Sequence, residues 1–289
     1  MRARLAVLVG PARPAWADGF GRDAQGLWLD VEVGKRFSVI SRVQRFRYIP
    51  AGSFLIGSAD GESGRDDDER QAPVTLTRSL WLADSEVGQG LWTAVMGWNP
   101  AYAKGERLPV ERVSWADAQD FTARLTAKLA EVHMRLPSEA EWEYACRAGA
   151  PGAFGAAGDL DAVGVYSATS GGRSRPLKSR AANALGLYDL HGNVWEWCVD
   201  GYAPYAAVAV DPKAGAADLR VARGGSWGDD APALRAANRA GLAPNVRSAY
   251  VGLRLAIDVA IEVPSDVSSD AASDVASDVV GGATTGEGD

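Results

Sequence analysis

The sequence predicts a loop-rich α+β fold with one main domain, on three observations. Ten tryptophans and 33 glycines in 289 residues call for many turns pinned by large rings. Short runs alternate apolar and polar residues between Gly-containing turns, the period of half-buried strands. Helical periodicity is confined to three short segments.

Taken in order, the run at 1–10 reads as a first strand. Its apolar stretch is about six residues and Pro11, Arg13 and Pro14 follow at once, which argues against a signal sequence. Residues 27–33 and 37–43 alternate as strands, and 48–58 continues the pattern, so 1–45 forms an N-terminal β extension ahead of a main domain at 46–259. The charged run from Asp60 to Arg70 reads as a solvated loop. Residues 74–82 read as one strand, and 86–96 as a helix stopped by Gly97 and Pro100. Ser114 and Asp117 form an N-cap pair ahead of Ala118, Phe121, Leu125 and Leu129, spaced for one helical face. Ser138 and Glu141 form a capping box ahead of Trp142, Ala145 and Cys146, with Gly149 as the stop. Residues 150–184 read as loop, with short strands around Tyr166. The segment 186–198 mixes glycines and aromatics too densely for a regular element and reads as an irregular buried crossing point. In 260–289 Ser-Asp recurs every four residues from Ser265 to Asp278, a composition unable to bury a core, so a disordered acidic tail is expected.

Charge and composition exclude several functions. Seven of the 37 acidic residues lie after Val259, where no Lys or Arg occurs, leaving 30 acidic against 30 basic groups in the body. A nucleic-acid groove needs a basic excess that this neutral body lacks. No apolar segment approaches the roughly 20 residues that cross a bilayer, so a cytoplasmic protein without a membrane partner is expected. Cys146 and Cys198 are the only cysteines, too few for a disulfide-framed scaffold or a Cys-x-x-Cys metal site. The two histidines, His133 and His191, stand in unlike contexts, against an iron facial triad. Nucleophile-elbow, P-loop and dinucleotide fingerprints are absent. Asp189, Gly192, Val194 and Glu196 fit two readings equally: a hard-cation loop of carboxylate and carbonyl oxygens, or a buried turn whose carboxylates accept backbone hydrogens.

Four ordered motifs add a resemblance. Arg135-Leu-Pro-Ser-Glu-Ala-Glu-Trp-Glu-Tyr-Ala-Cys-Arg-Ala-Gly149, Gly186-Leu-Tyr-Asp-Leu-His-Gly-Asn-Val-Trp-Glu-Trp197, Arg223-Gly-Gly-Ser-Trp227 and Gly252-Leu-Arg-Leu255 resemble the formylglycine-generating enzyme (sulfatase-modifying factor) family across roughly residues 46–257. The resemblance implies an α+β, C-type-lectin-like fold of the formylglycine-generating subtype. It also implies a structural calcium on Asp189, the Gly192 and Val194 carbonyls, and Glu196.

The departures from that family are informative. Its enzymes place two copper-binding cysteines behind the Gly-Gly-Ser-aromatic turn, and these would fall on Asp229 and near Leu234. A carboxylate and an aliphatic side chain do not bind Cu(I), so neither copper nor the oxidase chemistry is expected. Iron is not expected either, because relatives that make sulfur-histidine compounds carry it on histidines of a separate domain with no counterpart in this sequence.

Residues 223–256 also resemble the variable region of proteins diversified by retroelements. Those proteins keep a fixed skeleton and vary the residues between through adenine-containing Asn codons, whose products include no Lys, Glu, Gln, Met or Trp. Gly228, Asp229, Asp230, Pro232, Leu234, Ala240, Gly241, Leu242, Asn245, Ala249 and Tyr250 all satisfy that rule. Arg235, Arg239, Arg247 and Arg254 form the skeleton, able to hold loops by pairing with carboxylates and carbonyls. The expectation is a non-catalytic recognition protein for a protein or other macromolecular ligand, sited at 228–250. The alternative is a family enzyme with another oxidative or protein-modifying activity.

Overall fold

The computed structural model describes residues 13–33, 43–129, 132–155 and 159–258. The strand expected at 1–10, most of that at 37–43 and the tail at 260–289 lie outside the described residues.

Among the described residues, four sheets and a few helices make a mixed α+β architecture. The largest sheet is antiparallel throughout, in the order Gly19–Asp23, Gly26–Glu32, Val43–Ile49, Leu80–Ala83, Ala256–Asp258, Met134–Arg135. The early strands thus join the end of the body through one continuous ladder. A four-stranded sheet runs Arg239–Leu242, Arg220–Arg223, Trp195–Gly201, Val251–Leu253. Trp195–Gly201 pairs antiparallel with Arg220–Arg223 and parallel with Val251–Leu253. A three-stranded sheet holds Ala209–Val210, Ala72–Leu76 and Gly52–Ile56, and Gly164–Val165 pairs with His191–Gly192.

All three helices form, and their ends follow local chemistry. Gln89–Met96 ends on Gly97 in the left-handed region. Trp115–Leu129 begins where Asp117 accepts from the Ser114 backbone and hydroxyl. Glu139–Arg147 carries the full Ser138–Glu141 capping box. The first two meet through Trp92 and Phe121, whose rings stack at 4.9 Å inside the main core.

Three expectations are corrected. The run at 74–82 is two strands, Ala72–Leu76 and Leu80–Ala83, in different sheets. The corner is fixed from far away, because Asp211 accepts from the Thr77 backbone and hydroxyl. The segment after Gly192 is not irregular: Trp195–Gly201 is an interior strand of its sheet. The charged run at 60–70 is only partly solvated, since Glu69 is fully buried against Arg235 at 2.6 Å.

Candidate functional site: a loop surface on a skeleton of paired arginines

The four skeleton arginines are all paired. Arg254 grips Glu196 with two bonds of 2.6 and 2.8 Å and donates to the Ala83 and Tyr188 carbonyls. Arg239 grips Glu139 in the same way, at 2.6 and 2.8 Å. Arg235 holds Glu69, and Arg247 holds Asp117 at 2.8 Å. Arg223 adds Glu143 and the carbonyls of Ala236 and Ala237. The pairs of Arg223, Arg235, Arg239 and Arg254 are buried, whereas Arg247 is 53% exposed; buried ion pairs fix geometry where regular ladders are missing, and losing one partner strands the other. Apart from the edge strand Arg239–Leu242 and one short 3-10 turn at Ala231–Leu234, residues 224–250 are loop tied down by these pairs.

On that skeleton the eleven candidate ligand-binding residues fall into unlike environments. Gly228, Asp230, Pro232, Asn245 and Tyr250 are exposed, while Asp229, Ala240, Gly241, Leu242 and Ala249 are half-buried. Leu234 is fully buried with Leu160 and Val163, so its side chain is not part of the surface. Asp229 is also committed internally, its Oδ2 accepting from the Ser226 backbone, the Ser226 hydroxyl and Trp195 Nε1 at 2.6–2.9 Å. Gly228 and Gly241 lie close under rings: an added Cβ would sit 2.5 Å from Tyr250 and 2.8 Å from Tyr202.

The structure gathers only part of the set. Trp227 and Tyr250 meet at 4.6 Å, with Gly228 beneath Tyr250 and Trp227 Nε1 donating to the Ala249 carbonyl. Ala240, Gly241 and Leu242 lie instead on the edge strand Arg239–Leu242, at the opposite edge of the sheet from Val251–Leu253. Three strand spacings, about 14 Å, separate those edges. Sequence reasoning missed Trp195, Ser167 and Asn193, which complete the first group. Ser167 donates to the Asp229 carbonyl and to Asp230, and the Asn193 carbonyl accepts from the Trp227 backbone. Ser167 and Asn193 lie far from 228–250 in the chain, and no local signal marks them.

The loop at 189–196 offers a fit for a hard cation. Asp189 Oδ2 accepts from the Lys178 backbone, whereas Oδ1 is buried without a partner. Glu196 Oε1 meets only Arg254, which leaves it acceptor capacity. Burial raises the Asp189 carboxyl to about 6. Glu86 is pushed well above its usual range by burial and by the charges of Asp189 and Glu196. Three buried carboxylates thus face one guanidinium, Arg254. Glu86 itself accepts from Asn193 Nδ2 and the Val194 backbone, fixing the turn that carries the Gly192 and Val194 carbonyls. Asp189 and Glu196 with those carbonyls would hold a calcium ion, which would supply structural cross-linking of the turn.

Thiol chemistry finds no support in the cysteines' surroundings. Cys146 and Cys198 are free and fully buried, with burial raising Cys146 to about 12 and Cys198 well above the ordinary thiol range. Burial lowers His191, whose Nδ1 lies 2.8 Å from the Leu234 carbonyl. Among the described residues, Asp66, Asp68 and Glu69 bring three carboxylates together. Asn238, Tyr202 and Arg235 respectively already bond them. No described helix is long and apolar enough to cross a membrane.

Comparison with known proteins agrees with this fold. A formylglycine-generating enzyme of Streptomyces coelicolor is 36% identical over 204 residues, covering 60% of this chain and 63% of that protein. A Mus musculus protein named inactive C-alpha-formylglycine-generating enzyme 2 is 30% identical over 188 residues, 59% of this chain and 56% of its own length. The chain thus spans about three fifths of these relatives. The solved structure of Treponema denticola variable protein 1 matches with a TM-score of 0.70 at 26% identity, covering 79% of this chain and 99% of that one. The fold is accordingly α+β and C-type-lectin-like, of the formylglycine-generating subtype. A family model described as the sulfatase-modifying factor enzyme 1-like domain matches residues 36–259, and the chain belongs to that family.

Proposed function

We propose that this protein is a non-catalytic recognition module that binds a protein or other macromolecular ligand through the exposed part of 228–250. The carrying observation is the division of labour in that segment. Its arginines are locked in carboxylate pairs, while Gly228, Asp230, Pro232, Asn245 and Tyr250 stay exposed on the loops so held. A rigid scaffold with exposed, mixed side chains on loops is the physical form of a recognition surface. The likeness to a variable protein supports this reading, as do the side chains at the two expected copper positions: a carboxylate with three internal donors at Asp229 and a buried aliphatic at Leu234. The identity to a formylglycine-generating enzyme favours the second reading, a protein-modifying enzyme using other residues.

Thermal melts on two sets of variants test the proposal. Asp230→Ala, Asn245→Ala and Tyr250→Ala should each stay within about 0.5 kcal/mol of the parent, as exposed substitutions do. Arg235→Ala and Arg239→Ala should each cost about 3–5 kcal/mol by leaving a buried carboxylate unpaired. If the first set unfolds as readily as the second, those residues are structural and the recognition reading fails.

A further inference from the structure

Most buried carboxylates here are neutralised, which makes the exceptions informative. Among the described residues Glu69, Asp84, Glu139, Glu143 and Glu196 each enter an ion pair. Glu86 and Asp189 belong to the cation loop described above, and Glu111 accepts from the Tyr102 and Ala103 backbones. Asp200 differs from all of these: it is buried, no described Lys or Arg pairs with it, and it lines a cavity.

That cavity, about 270 Å³, lies between the strands Gly52–Ile56 and Ala72–Leu76, the helix Glu139–Arg147 and the segment 202–214. The segment reads Tyr-Ala-Pro-Tyr-Ala-Ala-Val-Ala-Val-Asp-Pro-Lys-Ala, and its small side chains leave the space. It is pinned along its length. The Tyr202 backbone donates to the Leu219 carbonyl at 2.9 Å, the Tyr205 hydroxyl to Glu139 Oε1 at 3.0 Å, and the Asp211 backbone to the Thr75 carbonyl at 2.9 Å. An apolar cavity of about 150 Å³ is enough for benzene, so this one has room for a larger molecule.

Its walls are mostly apolar, with Ile56, Val74, Ala140 and Tyr205 among them, and two buried carboxylates line it. Glu139 is already neutralised, by two bonds from Arg239 and by Arg223 at 3.3 Å. Asp200 receives only backbone donors, Glu139 N–H on Oδ2 and Ala214 N–H on Oδ1, both at 2.7 Å. Each oxygen keeps a second acceptor position. Lys213, exposed at the rim, forms no ion pair with it. Burial raises the Asp200 carboxyl to about 6, as expected of a carboxylate held without a counter-ion.

We propose that this cavity binds a small organic cation, an alkyl or aryl-alkyl ammonium, with its charged end on Asp200 and its apolar body against Ile56, Val74, Ala140 and Tyr205. An ammonium brings donors and the missing positive charge together, a neutral alcohol brings a donor alone, and an anion is repelled. A concave, mostly apolar space with a few fixed polar groups is the usual form of a small-molecule site. The site is separate from 228–250 and stands whether or not that surface binds a partner.

Methyl NMR titration of the full-length protein tests this with three probes of like shape: 2-phenylethylamine, 2-phenylethanol and 3-phenylpropionate. The amine should shift the Ile56 and Val74 methyls in a saturable way and bind about tenfold or more tighter than the alcohol, the scale of one hydrogen bond to a charged group, with the anion weaker still. Asp200→Asn should remove the amine's advantage while leaving the alcohol's affinity unchanged. If that variant does not fold, the ranking of the three probes on the parent decides. Alcohol or anion binding as tightly as the amine would overturn the cation assignment. No saturable shift at Ile56 and Val74 with any probe, or shifts confined to other methyls, would overturn the site itself.

Discussion

Arg254 and Glu196 form a fully buried, two-bond ion pair, Nη2 to Oε1 at 2.6 Å and Nε to Oε2 at 2.8 Å. The pair ties the chain just past Val251–Leu253 to the strand Trp195–Gly201, and Trp142 Nε1 donates to the same carboxylate at 2.6 Å. One carboxylate thus joins a helix, a strand and the end of the 223–256 segment.

Glu196→Ala should therefore cost about 3–5 kcal/mol, since it strands the Arg254 charge in the interior. Calorimetric or chemical unfolding checks this. Calcium should also raise the melting point of the parent, with the increment following its free concentration, and should leave Glu196→Ala unmoved. A parent indifferent to both calcium and chelator would count against an exchangeable ion at Asp189 and Glu196.

Asp229 and Asp230 are neighbours with opposite expected responses. Asp229→Ala leaves the donors of Ser226 and Trp195 unpaired and should cost about 1–3 kcal/mol. Asp230→Ala loses one exposed bond to Ser167 and should cost no more than about 0.5 kcal/mol. Equal melting points for the two variants would contradict the geometry described for Asp229.

Stability should also carry a pH signature from Asp200. Burial raises its carboxyl to about 6, against the bonds donated by the Glu139 and Ala214 backbones. A raised folded-state value means that the native state binds more protons between the ordinary carboxylate range and about pH 6. This contribution is present in full below the ordinary range and falls away as pH rises to about 6. Asp200→Asn does not titrate, so its stability relative to the parent should improve by about 2–3 kcal/mol between pH 4 and pH 7. A pH-independent difference between the two would show that Asp200 is not raised.

The sequence was most legible where the controlling interactions are local. Capping residues three positions apart located the helices after Ser114 and Ser138. The skeleton arginines could be recognised as holding groups, but not their partners: Glu69 and Glu139 lie 166 and 100 residues from the arginines that grip them. The turn at 77–79 looked like continuous strand because the Asp211 carboxylate that bends it lies 134 residues away. Codon logic treated 228–250 as one surface, yet the sheet puts Ala240–Leu242 on the far edge from Tyr250 and buries Leu234. Composition rules carry no information about which side of a sheet a residue reaches.

Deep sequencing of the coding segment for residues 223–256 across a population of the source cells tests the central claim most directly. A diversified recognition surface predicts substitutions concentrated at exposed positions such as Asp230, Pro232, Asn245 and Tyr250, with Arg235, Arg239, Arg247, Arg254 and buried Leu234 unchanged. A segment with no variation, or with changes spread evenly over skeleton and surface, would contradict it.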